Sequence, residues 1–264
     1  IAKRVPETII RYDMALERYW LNMPNLGEMV VEEGQLIIIH RCYEKDEMLD
    51  HYLRLFILGS GFGNLLFQRG ILPMHGSVVV KAEKAYLFLG DSGNGKSTLA
   101  MYLTKYKGCR IICDDIAAID FDAQGHPVVW AAYPQTKLNP DSLEVLAMAF
   151  EQFSPVVQDQ AKRKTPLPHN KYLQPFRLEK TLLLSGEQNS SMMEPITGVE
   201  KFDQLRRYFF RKEYNDYLIA NPINFKKFNQ LVSHQNVYWL HRPVNTDMPK
   251  SLPQMYQNIF HTIN

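Results

Sequence analysis

Three glycines, a lysine and a hydroxyl are spaced in this chain as chemistry on a phosphate would need them. The stretch Gly90-Asp91-Ser92-Gly93-Asn94-Gly95-Lys96-Ser97-Thr98 follows the order Gly, four residues, Gly, Lys, Ser/Thr. Glycines let the backbone curl until several amide N–H groups face one concavity, where a polyphosphate can sit. A helix starting there adds unpaired N–H groups and the positive end of its dipole. Lys96 then reaches the β- and γ-phosphates, and the Ser97 hydroxyl is offered to Mg²⁺ (or Mn²⁺).

A phosphate loop needs carboxylates opposite it. Asp114-Asp115 close the apolar run Arg110-Ile111-Ile112-Cys113, a short way downstream of Lys96. One aspartate is expected to hold the metal and the other to accept a hydroxyl proton, in either assignment. If the pair lies in a strand, the two side chains alternate across it; if it lies in a turn, both can face the site. His75, which enters the strands leading to the loop, is a weaker candidate. Lys137 reads equally as a solvated loop residue or a phosphate clamp. The run Lys162-Arg163-Lys164 lies in a proline-bordered loop and could fold over an anion.

The elements that must position these residues follow from apolar periodicity and turn chemistry. Tyr86–Leu89 reads as a strand into the loop, and Thr98–Leu103 as the start of a helix that Gly108 ends. A hairpin of Ser77–Lys81 and Ala85–Leu89 turns at Ala82-Glu83-Lys84. Ile116–Phe121 and Pro127–Ala132 flank Asp122-Ala123-Gln124-Gly125. Connections this short exclude parallel crossovers. The expected fold is therefore α/β with a mixed, largely antiparallel sheet. Residues 1–45 read as a small β appendage, with Glu28–Val31 and Gln35–His40 as a hairpin, and residues 46–264 as the domain carrying the loop. A helix is expected over 46–69, packed closely or broken near Gly59, Gly61 and Gly63. Further helices are expected over Ser142–Phe153, capped by Asp141, and over Val199–Leu218, which carries Arg206, Arg207, Arg211 and Lys212. Leu178–Leu184 and a segment containing Trp239 read as strands, 154–176 as a long loop, and the C-terminus as a helix.

Composition narrows the class. Over 264 residues, 45% are hydrophobic and 22% charged, which is an ordinary globular balance. A formal net charge of +2 gives no global field favouring nucleic acid or a membrane, so any basic site is local. Cys42, Cys109 and Cys113 form no metal-type pair and suit a reducing cytoplasm. The first residues do not read as a signal peptide, and Tyr52–Phe67, broken by Arg54 and glycines, falls short of a membrane span.

The order His75-Gly-x-x-Val, hairpin, Gly-Asp-Ser-Gly-x-Gly-Lys-Ser, Asp114-Asp115 resembles the catalytic domain of HPr kinase/phosphorylase, a serine kinase. It is more similar to a branch that phosphorylates the C-terminal serine of lasso-peptide precursors. There the pattern runs Leu58-Gly59-Ser60, Gly63, Leu65-Leu66, Gln68-Arg69-Gly70, Leu72-Pro73 and His75, then the loop, the acidic pair and Tyr133-Pro134-x-x-Lys137-Leu138. The resemblance covers residues 52–145. It implies a phosphoenolpyruvate-carboxykinase-like sheet, ATP as phosphate donor, a peptide as partner and a possible homo-oligomer. It further implies Lys96 and Ser97 on phosphate and Mg²⁺, one of Asp114/Asp115 as base, and His75 supporting the pair. A terminal serine also presents a carboxylate, for which Arg163 or Arg207 is the expected clamp, with Tyr133 and Lys137 on the substrate side. The family's separate N-terminal domain, its downstream metal-binding glutamate and its HPr-recognition segment are not found, so HPr is not the expected substrate. The alternatives are a kinase of HPr or of free serine, and a nucleotide-binding regulatory module without phosphotransfer.

Overall fold

The computed structural model describes residues 9–13, 17–132, 135–156, 161–166, 174–188, 193–211, 218, 221–243 and 248–261. Its first four strands, β1 (Ile9–Asp13), β2 (Arg18–Met23), β3 (Gly27–Glu32) and β4 (Leu36–Arg41), form an antiparallel meander in that order. The hairpin expected near Glu33-Gly34 is β3–β4. Strands β1 and β2 fall in the part read as small β structure but were not placed individually, although Tyr19, Leu21 and Met23 alternate with more exposed neighbours as a half-buried strand requires.

Tyr19, Leu21, Met29 and Val31 pack on the helical segment that follows. That segment is α1 (Glu47–Phe56), a π-helical turn Ile57–Gly61, and α2 (Phe62–Gln68). Asp46 caps α1 by accepting the Leu49 N–H at 2.9 Å. The interruption expected at the glycines is thus a wide turn and not a break. A side chain at Gly61 would lie 3.0 Å from Met29 Sδ, so the small residue permits the meander to approach. Gln68 and Arg69 fasten it: Gln68 Nε2 donates to Val31 O at 3.0 Å, and Arg69 Nε to Gly34 O at 2.5 Å.

The large sheet holds β5 (Leu72–Lys81), β6 (Lys84–Leu89), β7 (Arg110–Phe121), β8 (Pro127–Trp130), β11 (Phe176–Gln188), β12 (Met193–Pro195) and β13 (Val237–Pro243). Its order is β12-β13-β11-β6-β5-β7-β8, and β11 also touches β8, so the sheet curls. Strand β11 runs parallel to β6 and β13, while the other pairings are antiparallel. This is the mixed, largely antiparallel α/β sheet anticipated from the short connections.

Helices cover both faces. On one lie α2, α5 (Gly198–Arg207) and α6 (Pro222–His234), around Leu72, Leu87, Leu89, Leu205 and Phe228. On the other lie α3 (Lys96–Lys107), α4 (Pro140–Val145) and α7 (Met248–Phe260), around Phe88, Leu99, Leu103, Leu182 and Ile259. A two-stranded ribbon, β9 (Gln135–Leu138) with β10 (Arg163–Pro166), flanks the sheet near β7. Among the described residues no helix is long and apolar enough to cross a membrane.

Several expectations are corrected here. The helix expected over Ser142–Phe153 is α4, which starts with Pro140 in its first turn after Asn139 and ends at Val145. The helix expected over Val199–Leu218 ends at Arg207, because Phe209 bridges Met74 and the Phe210 N–H binds Pro73 O at 3.0 Å. The region 154–176 contains β10. Strand β5 begins at Leu72, five residues before Ser77. Asp114-Asp115 lie inside β7, which is continuous from Arg110 to Phe121 and has no turn at that point.

One glycine in β5 is fixed by space alone. A Cβ on Gly76 would lie 2.5 Å from Phe88 O and under 3 Å from the Leu87 and Leu89 side chains. Gly76→Ala is therefore expected to destabilise the protein by about 1–3 kcal/mol through overpacking, read as a lowered urea midpoint at unchanged slope.

Candidate active site

The loop between β6 and α3 has the strand-to-helix setting its sequence required. Gly90, Gly93 and Gly95 have φ of 146°, 92° and 84°. Gly95 is the tightest, since a Cβ there would also lie 2.2 Å from Met248 Cε. The amide of Asn94 donates from its side chain to Leu184 O at 2.9 Å, which ties the loop to β11. Lys96 Nζ folds back on Gly90 O at 2.8 Å and Asp91 O at 3.1 Å. Burial holds its ammonium below the usual lysine range, against the raising influence of Asp114, Asp91 and Asp115.

A cleft of about 130 Å³ lies beside the loop, bounded by His75, Lys96, Ser97, Asp114, Asp115 and Lys137 among others. Ser92 and Thr98 also line it. Thr98 is anchored by a 2.7 Å contact between its hydroxyl and that of Ser142. Asp91 is turned outward, where Arg207 Nη2 meets both of its carboxylate oxygens at 3.0 and 2.9 Å. Both partners of that pair are more than half exposed, so it contributes little to stability.

The two aspartates differ in surroundings. Asp114 Oδ1 accepts from the hydroxyl of Ser77 and, at 3.0 Å, from that of Ser97; Oδ2 accepts from the Thr136 hydroxyl and, at 3.4 Å, from the Lys137 N–H. Asp115 meets Lys137 Nζ at 2.7 Å through Oδ2 and His75 Nδ1 at 3.5 Å through Oδ1. Burial lowers the affinity of His75 for a proton more than the neighbouring Asp115 raises it. The imidazole thus stays neutral near pH 7.

Alternation along a strand would place these neighbours on opposite faces, yet both line the cleft. The reason is local. Asp115 has φ +94°, rare for a residue with a side chain. In β7, Cys113 and Ala117 belong to the apolar core, and regular alternation would send Asp115 there with them. Opposite it across the ladder stands Gly76. Turning the backbone takes the carboxylate out of that core, where an unpaired charge would be costly, and sets it beside His75. Cys113 stays in the core, where burial pushes its thiol far up and removes it from nucleophilic chemistry.

The substrate-side candidates are placed unequally. Lys137 enters the cleft through its ion pair with Asp115. Arg163 lies with its guanidinium 3.8 Å over the Phe150 ring, and Arg207 is engaged with Asp91 at the rim of the loop. Tyr133 lies outside the described residues. Sequence reasoning missed Ser77 and Thr136, which complete the shell of Asp114. Ser77 stands directly opposite Asp114 in the β5–β7 register, a signal available only once the pairing is known.

The donors at Ser97 and Asp114 fit Mg²⁺. Their hydroxyl and carboxylate oxygens converge at 3.0 Å, and both are hard oxygen ligands. Among the described residues no group of three or more His, Cys, Asp or Glu side chains gathers as a metal cage. An ion held by one or two protein oxygens, with water and phosphate completing the shell, matches this set.

No family model matches the chain. No curated protein matches it either. Among solved structures it is similar to the HPr(Ser) kinase/phosphatase from Coxiella burnetii, at a TM-score of 0.35 and 11% identity, covering 71% of this chain and 95% of that one. A likeness at that level carries no argument about function, and the functional reading rests on the site itself.

Proposed function

We propose that the protein is an ATP- and Mg²⁺-dependent kinase acting on a serine hydroxyl of a peptide, the C-terminal serine of a lasso-peptide precursor. The observation that carries this reading is the difference in surroundings between two adjacent aspartates beside the glycine-rich loop. Asp114 is fixed by hydroxyl donors and shares one of them, Ser97, with the start of α3. Asp115 instead meets a lysine and an imidazole at the cleft. Simple nucleotide binding needs no second carboxylate; transfer to a hydroxyl does.

In this reading the loop amides and Lys96 hold the donor's phosphates, and Ser97 with Asp114 holds the metal. Mg²⁺ held there would supply positive charge against the charge of the transferring phosphoryl group. Asp115 accepts the proton of the acceptor hydroxyl, and neutral His75 keeps the carboxylate oriented without protonating it. The serine acceptor and the peptide class are supported by the sequence resemblance over residues 52–145.

The test is direct. Purified protein with ATP and Mg²⁺ is expected to add one phosphate, seen by mass spectrometry, to a precursor peptide ending in serine and none to the same peptide ending in alanine. Transfer to free serine or to HPr with none to the peptide would reassign the acceptor. Tight ATP binding with no transfer to any hydroxyl would leave a regulatory nucleotide-binding module.

A further inference from the structure

On the ribbon side of the cleft cations gather, and the carboxylates beside them are already bonded, Asp115 to Lys137 and Asp50, one turn before Arg54, to Arg41 and Tyr43. In the ribbon, Lys164 of β10 stands directly opposite Lys137 of β9. Directly opposed residues share a face, and like charges so placed repel. Lys162, two residues before Lys164 along backbone held by the Val156 N–H to Lys162 O bond at 2.9 Å, lines the cleft. The opposite face of the ribbon is buried, with Thr136, Leu138 and Thr165 inward.

Helix α1 adds to the same group. His51 Nε2 lies 2.5 Å from Val156 O and 3.4 Å from Lys164 Nζ. Its Nε2–H donates to the nearer carbonyl, so that nitrogen offers Lys164 no lone pair. Arg54 follows His51 by one helical turn, on the same side of α1. Burial first, then Arg54 and Lys137, hold the Lys164 ammonium below its ordinary range. Of this group only Lys137 is paired, to Asp115 at 2.7 Å. Arg54, Lys162 and Lys164 make no ion pair among the described residues.

Such a concentration of positive charge at a built surface is stable when an anion from outside completes it. In the kinase reading the loop and Lys96 hold the donor's phosphates, and Lys162, within electrostatic reach of Lys96, stands at the border between the two sides of the cleft. We propose that Arg54, Lys162 and Lys164 form an anion subsite next to Asp115 that holds a carboxylate of the acceptor while its hydroxyl faces that aspartate. The proposal rests on the kinase reading for the neighbouring hydroxyl, and it moves carboxylate recognition away from Arg163 and Arg207, which are turned to Phe150 and Asp91.

Recognition is separated from transfer by measuring binding. A synthetic peptide whose terminal serine is replaced by alanine is titrated into the full chain loaded with a non-hydrolysable ATP analogue. It is prepared as the free acid, as the C-terminal amide, and as the free acid with its acidic side chains neutralised. The free acid is expected to bind about 10–100-fold more tightly than the amide, as for a charge-assisted contact. Arg54→Gln and Lys164→Gln, each checked for folding by circular dichroism, are expected to erase most of that difference while leaving the analogue's affinity unchanged. Loss of affinity on neutralising acidic side chains, with the amide binding as well as the acid, places the recognised carboxylate inside the peptide. Equal binding of all three forms, or variants that weaken the ATP analogue as much as the peptide, overturns the subsite. An acid-selective, Arg54-dependent interaction in a protein that transfers no phosphate would keep the subsite and remove the kinase reading.

Discussion

Asp115→Asn is expected to keep the nucleotide bound and to lower the rate of phosphotransfer by about 10²–10⁴-fold, the usual cost of losing a general base. Asp114→Asn is expected to fail differently. Its two oxygens accept from three hydroxyls and a backbone N–H, and an amide nitrogen would face donors with another donor. The predicted losses are Mg²⁺-dependent nucleotide affinity and about 1–3 kcal/mol of stability. Titration of nucleotide with and without Mg²⁺, followed by single-turnover rates at saturation, separates the two variants. Asparagine tolerates a positive φ, so the Asp115 exchange tests chemistry and not backbone strain. Identical phenotypes would remove the division of labour, and two near-wild-type enzymes would remove catalysis from this pair altogether.

Lys96→Ala is expected to reduce transfer by about 10²–10³-fold or more, the cost of one lost electrostatic donor to a transition state. Among the described residues the lysine's hydrogen bonds are with carbonyls of its own loop, so the fold is expected to survive. A far-ultraviolet spectrum and urea midpoint near wild type, with transfer nearly gone, is the predicted combination. Retention of a large share of the activity would show that the loop does not hold the donor.

The residues of the loop were legible because everything that defines it is local: a strand, glycines at fixed offsets, a lysine, a helix start. The acidic pair was legible for the same reason, as two carboxylates ending an apolar run. What each aspartate faces was not, because that depends on one backbone angle at Asp115 and on the pairing of β7 with β5, neither of which is encoded within a short window. Ser77 and Thr136 were missed as partners of Asp114 for that reason. In the fold, the short connections were enough for a mixed sheet. Helix α5 was read too long, since Arg211 and its neighbours continue a helical pattern while Phe209 and Phe210 are drawn to β5. Helix α6 had a local signal that went unused: Asn221 accepts from the N–H groups of Ile223 and Asn224, and Pro222 opens the helix.

The positive φ of Asp115 also acts on assembly of the chain. In β5, His75 and Ser77 share one face and Gly76 the other, and only the register Ser77↔Asp114, Gly76↔Asp115 brings both aspartates to their partners. A slip of one residue between these strands would set the turned backbone of Asp115 against His75 or Ser77 instead of the glycine, and move Asp114 off its hydroxyls. Misregistered chains would therefore be strained and leave both carboxylates without their partners, so the aspartate pair works as a lock that accepts one alignment of the central strands.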